Sequence, residues 1–110
     1  AFNGSSDVTI AGNTIGLNES GNAGIGNGVH GIDVLGSDVT IQNNVISANG
    51  QNGVHVETST GVIEGNAIGT NALATAAIGN GRDGVYTRSP SLTIRNNTIA
   101  GQVNGVGVNI

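Results

Sequence analysis

The sequence repeats itself at an offset of 53 residues, and this repeat restricts the fold more than any other feature. Residues 15–18 match residues 68–71, residues 23–28 match residues 76–81, and residues 40–44 match residues 93–97. The chain of 110 residues therefore holds two copies of one unit, about residues 6–58 and 59–110. Such repeats are typical of stacked architectures, in which each copy needs its neighbour to bury a core. We expect a single solenoid domain over residues 1–110.

Each unit divides again into two shorter coils. One apolar block recurs at residues 8–15, 39–46, 61–68 and 92–99, and a second block recurs at residues 31–34, 53–56, 84–87 and 105–108. Successive coils are 31, 22 and 31 residues apart when they are read at an asparagine that all four share: Asn13, Asn44, Asn66 and Asn97. The longer coils carry extra residues at 16–28 and 69–81. We expect these residues to form longer loops on alternate coils.

Apolar and polar residues alternate within each block, which is the period of a strand with one buried face. Equivalent residues of successive coils should then stack at the spacing of about 4.8 Å between strands. The predicted inward columns are Ile15, Ile46, Ile68 and Ile99, and Val34, Val56 and Val108 with Thr87 as the exception. These features predict an all-β fold, a parallel β-helix (β-solenoid) of about four coils.

Six Asn-Gly pairs offer a competing interpretation, because Asn-Gly is a strong signal for two-residue β-hairpins. Hairpins would join antiparallel strands within each pair of blocks. The repeated blocks instead follow one another in the same order, which favours parallel strands in stacked coils.

The asparagine shared by all coils has two interpretations. Asparagine tolerates the left-handed conformation of tight turns, and its amide can bond the same amide in the coils above and below. The column Asn13, Asn44, Asn66 and Asn97 is therefore predicted to be a structural ladder. A row of ligand-binding amides is the alternative.

Composition excludes several functional classes. The chain has no cysteine, so disulfides and thiolate metal sites are impossible. Three arginines, no lysine and a net charge of −4 leave no basic stripe for a phosphate backbone, so we expect no nucleic-acid partner. No apolar run approaches the roughly 20 residues that span a bilayer, so we expect no membrane insertion. The sequence predicts no cofactor and no metal site.

The most regular stretch of the repeat resembles a known family. Residues 68–71 read Ile-Gly-Thr-Asn, residues 76–81 read Ala-Ala-Ile-Gly-Asn-Gly and residues 83–85 read Asp-Gly-Val. Together with a looser copy at residues 15–32, they resemble the repeats of secreted or surface bacterial right-handed parallel β-helix proteins, within the pectate-lyase-like superfold. The resemblance implies right-handed coils and an extracellular or cell-surface location. That superfold includes polysaccharide lyases, hydrolases, epimerases and surface proteins without known activity, so function stays open.

One polar cluster contains residue types that catalysis uses. The alignment places Asp33, His55, Tyr86 and Gly107 in one outward column, and Leu35, Glu57, Arg88 and Asn109 in the column two residues further on. An acid, a base and an arginine on one face could abstract the proton beside a uronate carboxyl. The candidates for such an enzyme are Asp33, His55, Glu57, Tyr86 and Arg88. We favour the simpler interpretation, a solvated face in which Glu57 and Arg88 form a surface salt bridge.

Two further polar positions have structural interpretations. Glu64 and Arg95 share another outward column on adjacent coils and are predicted to form a surface pair. His30 precedes Gly31, where the other coils have Asn52, Asp83 and Asn104, and is therefore predicted to be a turn residue.

The ends of the chain bear on function, because terminal coils of a solenoid expose core residues and unpaired strand edges. We expect a structural module that stacks end to end into a rod or filament, against other copies or against flanking β-helix coils. The predicted interface contains Phe2, Val106, Val108 and Ile110, with Phe2 filling the connection at the junction. The alternative is a carbohydrate-active or carbohydrate-binding fragment, with a polysaccharide as its partner.

Overall fold

The computed structural model describes residues 2–3, 8–17, 26, 28–35, 38–57, 60–71, 77–88, 91–102 and 105–109. The strands are β1 (Phe2–Asn3), β2 (Val8–Ala11), β3 (Thr14–Ile15), β4 (Ile32–Leu35), β5 (Val39–Gln42), β6 (Val45–Ile46), β7 (Val54–Glu57), β8 (Thr60–Glu64), β9 (Ala67–Ile68), β10 (Val85–Thr87), β11 (Ser91–Arg95), β12 (Thr98–Ile99) and β13 (Val108–Asn109). Within these ranges no helix is long and apolar enough to cross a membrane.

The strands form three parallel sheets that wind around one core. Sheet A has the order β1-β4-β7-β10-β13, sheet B has β2-β5-β8-β11, and sheet C has β3-β6-β9-β12. Each coil passes through sheets B, C and A in turn, and every pair of neighbouring strands is parallel. The predicted all-β parallel solenoid of about four coils is confirmed. The hairpin interpretation is wrong, because strands adjacent in sequence lie in different sheets.

The core consists of Ile and Val side chains that point inward from all three sheets. The inward residues of the two middle coils are fully buried: Ile41, Ile46, Val54, Val56, Ile63, Ile68 and Val85. Their equivalents at the two ends of the stack are only partly buried, and they include Ile10, Ile15, Ile94 and Ile99. Burial therefore depends on a neighbouring coil on each side, as expected when one coil cannot enclose a core alone.

Most of the extra residues of the long coils, predicted to form loops, lie outside the described ranges, but the described residues on either side of them lie close together. The Gly26 N–H donates to the Gly16 carbonyl at 2.9 Å, and the Ile78 N–H donates to the Gly69 carbonyl at 2.8 Å. A β-carbon on Gly69, where φ is +84°, would collide with the Ala100 carbonyl oxygen of the next coil. Glycine at this position lets the loop begin without separating the coils.

The register of the last coil in sheet A differs from the sequence prediction by two residues. Val108 pairs with Val85 and Asn109 pairs with Tyr86, so Val108 continues the column of Val54 and Val85. The predicted column of Val34, Val56, Thr87 and Val108 is therefore wrong in its last member. Residues 105–108 alternate glycine and valine, so the apolar pattern fits either register.

The observed register places a glycine of the last coil against Gly84, where the two backbones approach closely. Each coil has a glycine two residues before the outward column, and a β-carbon on Gly84 would meet both the Ile99 side chain and the Gly107 carbonyl oxygen. The Gly107 carbonyl also accepts the Val85 N–H at 2.8 Å. Gly107, rather than Gly105, therefore aligns with Gly53 and Gly84.

Phe2 does not lie in a connection between coils, which corrects its predicted position as a plug. It belongs to β1 and pairs with Val34 of β4. Phe2 therefore holds a strand position at one end of sheet A, in the column that continues through Val56 and Thr87.

The shared asparagines bond one another along the stack. The Asn44 side-chain amide and backbone N–H both donate to Asn66 Oδ1, at 3.0 and 2.9 Å. Asn66 donates in the same way to Asn97 Oδ1, and Asn13 donates to Asn44 Oδ1. The Asn66 amide also donates to the Ile41 carbonyl at 3.0 Å. Each amide thus satisfies turn groups that no strand ladder reaches.

The left-handed conformation falls one residue before this ladder, which corrects its expected place. The residues with positive φ at this turn are Gly12, Asn43, Gly65 and Asn96. The ladder asparagines therefore serve through their hydrogen bonds, and the preceding residue supplies the turn.

A second amide ladder was not predicted. The backbone N–H and the side-chain amide of Asn49 both donate to Asn80 Oδ1 at 3.0 Å. The same groups of Asn80 donate to Gln102 Oε1 at 3.3 and 3.4 Å. The three residues occupy equivalent turns between sheets C and A. The third member is Gln102 and not asparagine, so a search for a repeated asparagine does not find this ladder.

We predict that Asn66→Ala destabilises the fold far more than Asn13→Ala. Asn66 is buried, and its loss leaves the Asn44 donors and the Ile41 carbonyl without partners, so we expect a cost of about 2–4 kcal/mol. Asn13 is exposed and closes only one end of the ladder, so we expect about 1 kcal/mol or less. Urea unfolding followed by circular dichroism measures both, and equal losses would contradict the ladder's structural role.

Candidate functional site

The outward face of sheet A carries the cluster of polar residues. Strand pairing places Asp33 beside His55, His55 beside Tyr86, and Tyr86 beside Asn109. Asn109 takes the place predicted for Gly107, because of the shifted register of the last coil. In-register parallel pairing thus brings side chains 22, 31 and 23 residues apart in sequence to neighbouring positions, at about 4.8 Å per coil.

His55 is the best-fixed side chain of this face. Its Nδ1 lies 2.8 Å from Asp33 Oδ1, and its ring stacks on Tyr86 with centroids 5.3 Å apart. On the other side its ring stacks on His30, at 4.6 Å and 10° between planes. A carboxylate oxygen accepts hydrogen bonds, so the Asp33 contact holds a proton on Nδ1 of a neutral His55 and leaves Nε2 as its basic atom.

His30 belongs to this cluster, although the sequence assigned it only to a turn. Its Nδ1 accepts the Asn52 N–H at 3.3 Å, Asn52 Oδ1 accepts the Asp83 N–H at 3.0 Å, and Asp83 Oδ1 accepts the Val106 N–H at 2.9 Å. The four residues form a third ladder of mixed side chains, with Val106 in the place predicted for Asn104. A neutral imidazole nitrogen is an acceptor like an amide oxygen, so His30 fits the ladder while its ring reaches His55.

Burial lowers the pKa of His30 below its ordinary value, and repulsion from His55 lowers it further. Asp33 opposes the shift and Arg82 adds to it. The His30 imidazole is therefore largely neutral at neutral pH, which is the form that its acceptor role in the third ladder requires.

The predicted salt bridge between Glu57 and Arg88 is absent from the part of the chain that the structure describes. Glu57 Oε1 lies 4.0 Å from His55 Nε2 instead. Arg88 follows the end of β10, and its guanidinium carbon lies 5.7 Å from the Tyr86 ring centroid, a cation–π distance. Arg88 therefore contacts the Tyr86 ring and Glu57 lies near His55, so the two residues do not pair with each other.

A groove of about 560 Å³ runs along this face. It is lined by His30, Gln51, Asn52, His55, Glu57, Arg82, Asp83, Tyr86, Arg88 and Asn109. All of these side chains are polar, and the two arginines face two carboxylates. Four of the five predicted catalytic candidates therefore line one groove. The fifth, Asp33, lies beneath His55 and orients it.

One group of metal-binding side chains comes together within the described ranges. His30, Asp33 and His55 each offer one ligand atom, and these atoms lie within 4.8 Å of one another. The sequence analysis predicted no metal site, because alignment alone does not show that the His30 ring leaves its turn to stack on His55.

Two of the predicted end residues, Val106 and Val108, lie in the last coil of the stack. Val106 is 54% exposed and Val108 is 38% exposed, in the last coil. The Phe2 side chain and Ile110 lie outside the described part of the molecule.

Glu64 and Arg95 form an ion pair on sheet B, with Arg95 Nε 2.6 Å from Glu64 Oε2. Both side chains are substantially exposed, and Gln42 holds the same column in the preceding coil.

We predict that Glu64→Gln changes the free energy of unfolding by no more than about 1 kcal/mol, because solvent screens such a pair. Urea unfolding at low and high salt measures this, and a loss above about 2 kcal/mol would show a larger role.

Comparison with known protein families gives a match that covers the whole chain. A family model described as the right-handed β-helix region matches residues 1–110. Comparisons with curated proteins and with solved structures gave no match. The match covers the full sequence and agrees with three parallel sheets wound around one core. The chain belongs to the right-handed β-helix family.

Proposed function

We propose that this chain is a structural β-solenoid module of a secreted or cell-surface protein and that its end coils stack on further β-helix coils. The observation that carries the proposal is the graded burial of the apolar columns in sheets B and C. Ile10 and Ile94, at the two ends of one column in sheet B, are partly exposed, whereas Ile41 and Ile63 between them are fully buried.

Apolar exposure at the ends favours association. Covering apolar surface stabilises a contact by roughly 25 cal/mol per Å². At each end Ile10 and Ile15, or Ile94 and Ile99, present the surface that the next coil covers elsewhere in the stack. A further coil with the same repeat would complete both columns.

The backbone supports the same arrangement. β2 and β3 lie at one end of sheets B and C, and β11 and β12 lie at the other. Their outer edges offer the hydrogen-bonding pattern that every inner strand uses to bind its parallel neighbour. An added strand would extend the ladder of Asn13 and Asn97 as well, because both residues keep the geometry of the inner asparagines.

Sheet A constrains how two copies would meet. β1 already covers β4 at one end, and β13 is the outermost strand at the other end. A neighbouring coil therefore either continues from β1 or replaces it beside β4. We propose flanking coils or a second copy as the partner, stacked head to tail with parallel strands.

We predict that Ile10→Asp and Ile94→Asp, combined, abolish concentration-dependent association of the isolated chain. Each places a charge in an apolar end surface. The matched control is Thr9→Asp with Thr93→Asp, which adds the same charges at adjacent exposed, outward positions of the same strands. Analytical ultracentrifugation over a wide concentration range measures assembly.

Amide hydrogen exchange at β5 and β8 checks that both double variants keep their inner coils. Association that survives the Ile variants, or that the Thr variants abolish equally, would contradict apolar end stacking. A wild-type chain that stays monomeric at all concentrations would contradict self-assembly and leave flanking coils as the partner to test in a longer chain.

A second candidate function, binding or cleaving an acidic polysaccharide, is favoured by the groove on sheet A. Asp33 orients His55, which lines the groove, and Arg82 and Arg88 supply positive charge. A base beside a charge-neutralising cation suits proton abstraction next to a sugar carboxylate. We rank this candidate second, because Glu57 and Asp83 offset both arginines in the same groove.

We predict that the purified chain releases no unsaturated sugars from pectin or alginate. Ultraviolet absorbance of the elimination product measures the activity. Release that is lost in His55→Ala and Arg88→Ala but kept in Arg95→Ala, which changes an arginine outside the groove, would establish the enzyme instead.

A further inference from the structure

We infer that His30, Asp33 and His55 form a binding site for a divalent transition-metal ion such as Zn²⁺. The three side chains come from two adjacent coils, and one ligand atom from each lies within 4.8 Å of the others. This inference is independent of end stacking and of polysaccharide chemistry.

The ligand types select the class of metal. Two imidazoles and one carboxylate suit Zn²⁺, Ni²⁺, Co²⁺ and Cu²⁺, whereas Ca²⁺ and Mg²⁺ prefer oxygen ligands alone. Glu57 Oε1 lies 4.0 Å from His55 Nε2, the ring nitrogen that Asp33 does not contact, so Glu57 is not counted among the ligands. The groove on this face leaves room for water to complete the coordination shell.

Part of the site already has the spacing that metal binding needs. Asp33 Oδ1 and His55 Nδ1 are 2.8 Å apart, so one ion can reach both atoms if it takes the place of the proton in this hydrogen bond, and a neutral His55 then carries its proton on Nε2. Side-chain exposure is 31% for Asp33 and 18% for His55. Both are therefore held by their surroundings yet remain open to solvent ions.

His30 must turn for the site to close. The His30 and His55 rings are stacked within 10° of parallel, so their nitrogen lone pairs lie side by side and do not converge. His55 is fixed by Asp33 and by rings on both of its faces. His30 is held by a longer hydrogen bond of 3.3 Å from Asn52, so it is the ring that we expect to rotate toward the metal.

Each proposed ligand can be replaced by a residue that another coil already has at the equivalent position. Asn52 holds the column of His30, Asn109 holds the column of Asp33, and Tyr86 holds the column of His55. The variants His30→Asn, Asp33→Asn and His55→Tyr therefore remove one ligand each and keep a residue that fits the coil. Glu64→Gln is the matched control, since Gln42 holds its column and it removes a carboxylate on another sheet.

The experiment uses untagged, chelator-treated protein and titrates Zn²⁺ and Ni²⁺ by isothermal calorimetry. We expect one ion per chain, a loss of at least about tenfold in affinity for each of the three variants, and no change for Glu64→Gln. Circular dichroism without metal confirms that each variant is folded. X-ray absorption of the wild-type Zn²⁺ complex should show two imidazole ligands, and this measurement does not depend on any variant.

Several results would overturn the site. These are no binding by the wild type at tens of micromolar Zn²⁺, affinity that survives any one of the three variants, equal weakening by Glu64→Gln, or an absorption spectrum without two imidazoles. Full affinity in Asp33→Asn alone would leave two exposed histidines that bind metal adventitiously, which also contradicts the three-ligand site.

Discussion

Hydrogen bonding at the turns is the constraint on which the rest of this solenoid depends. Strand residues and many turn residues satisfy their backbone groups through the backbone of the neighbouring coil, but the N–H groups of Asn13, Asn44 and Asn66 bond a side-chain oxygen instead. Buried groups left unpaired at such turns would cost about 1–3 kcal/mol each. Asn44 and Asn66 solve this with side-chain amides that donate to one coil and accept from the other. Because each amide needs its equivalent at the same height, the ladder also holds the coils in register.

That register decides which side chains can act together. Once the coils are aligned, an outward residue has as its nearest neighbours the residues one coil above and below it. Asp33 and His55 become a hydrogen-bonded pair although 22 residues separate them, and Tyr86 joins them from 31 residues further on. The inward columns remain Ile and Val in nearly every coil, whereas this outward column changes from Asp to His to Tyr to Asn. Chemistry can therefore vary on the outer face without disturbing the core.

The sequence predicted what depends on repetition and failed where a single residue decides. The four coils and the parallel strands both follow from matches between several residues at once. The last strand of sheet A was placed two residues too early, because Gly105 and Gly107 fit the same pattern. Either register would place a glycine against Gly84, and the structure shows that Gly107 takes this place, with its carbonyl accepting the Val85 N–H.

In the candidate site on sheet A, too, the sequence predicted the features that depend on the repeat and missed those that depend on a single contact. The alignment brought Asp33, His55 and Tyr86 to one face, because all three belong to repeated strand positions. The alignment also predicted that Glu57 pairs with Arg88. In the structure β10 ends at Thr87, and the Arg88 side chain that follows it contacts the Tyr86 ring. Such competition between an ion pair and a ring contact involves energies of about 1 kcal/mol or less on an exposed surface, too small for a sequence pattern to resolve.

His30 shows how a structural column can acquire a second role. The ladder position requires an acceptor for the next turn's N–H, and Asn52 and Asp83 supply it with oxygens. An imidazole supplies it with Nδ1 and brings a ring that an amide lacks. The fold accepts the exchange because the hydrogen bond is kept, and the ring then stacks on His55 at the edge of the groove. The turn position thus places a third side chain of a metal-binding type beside Asp33 and His55.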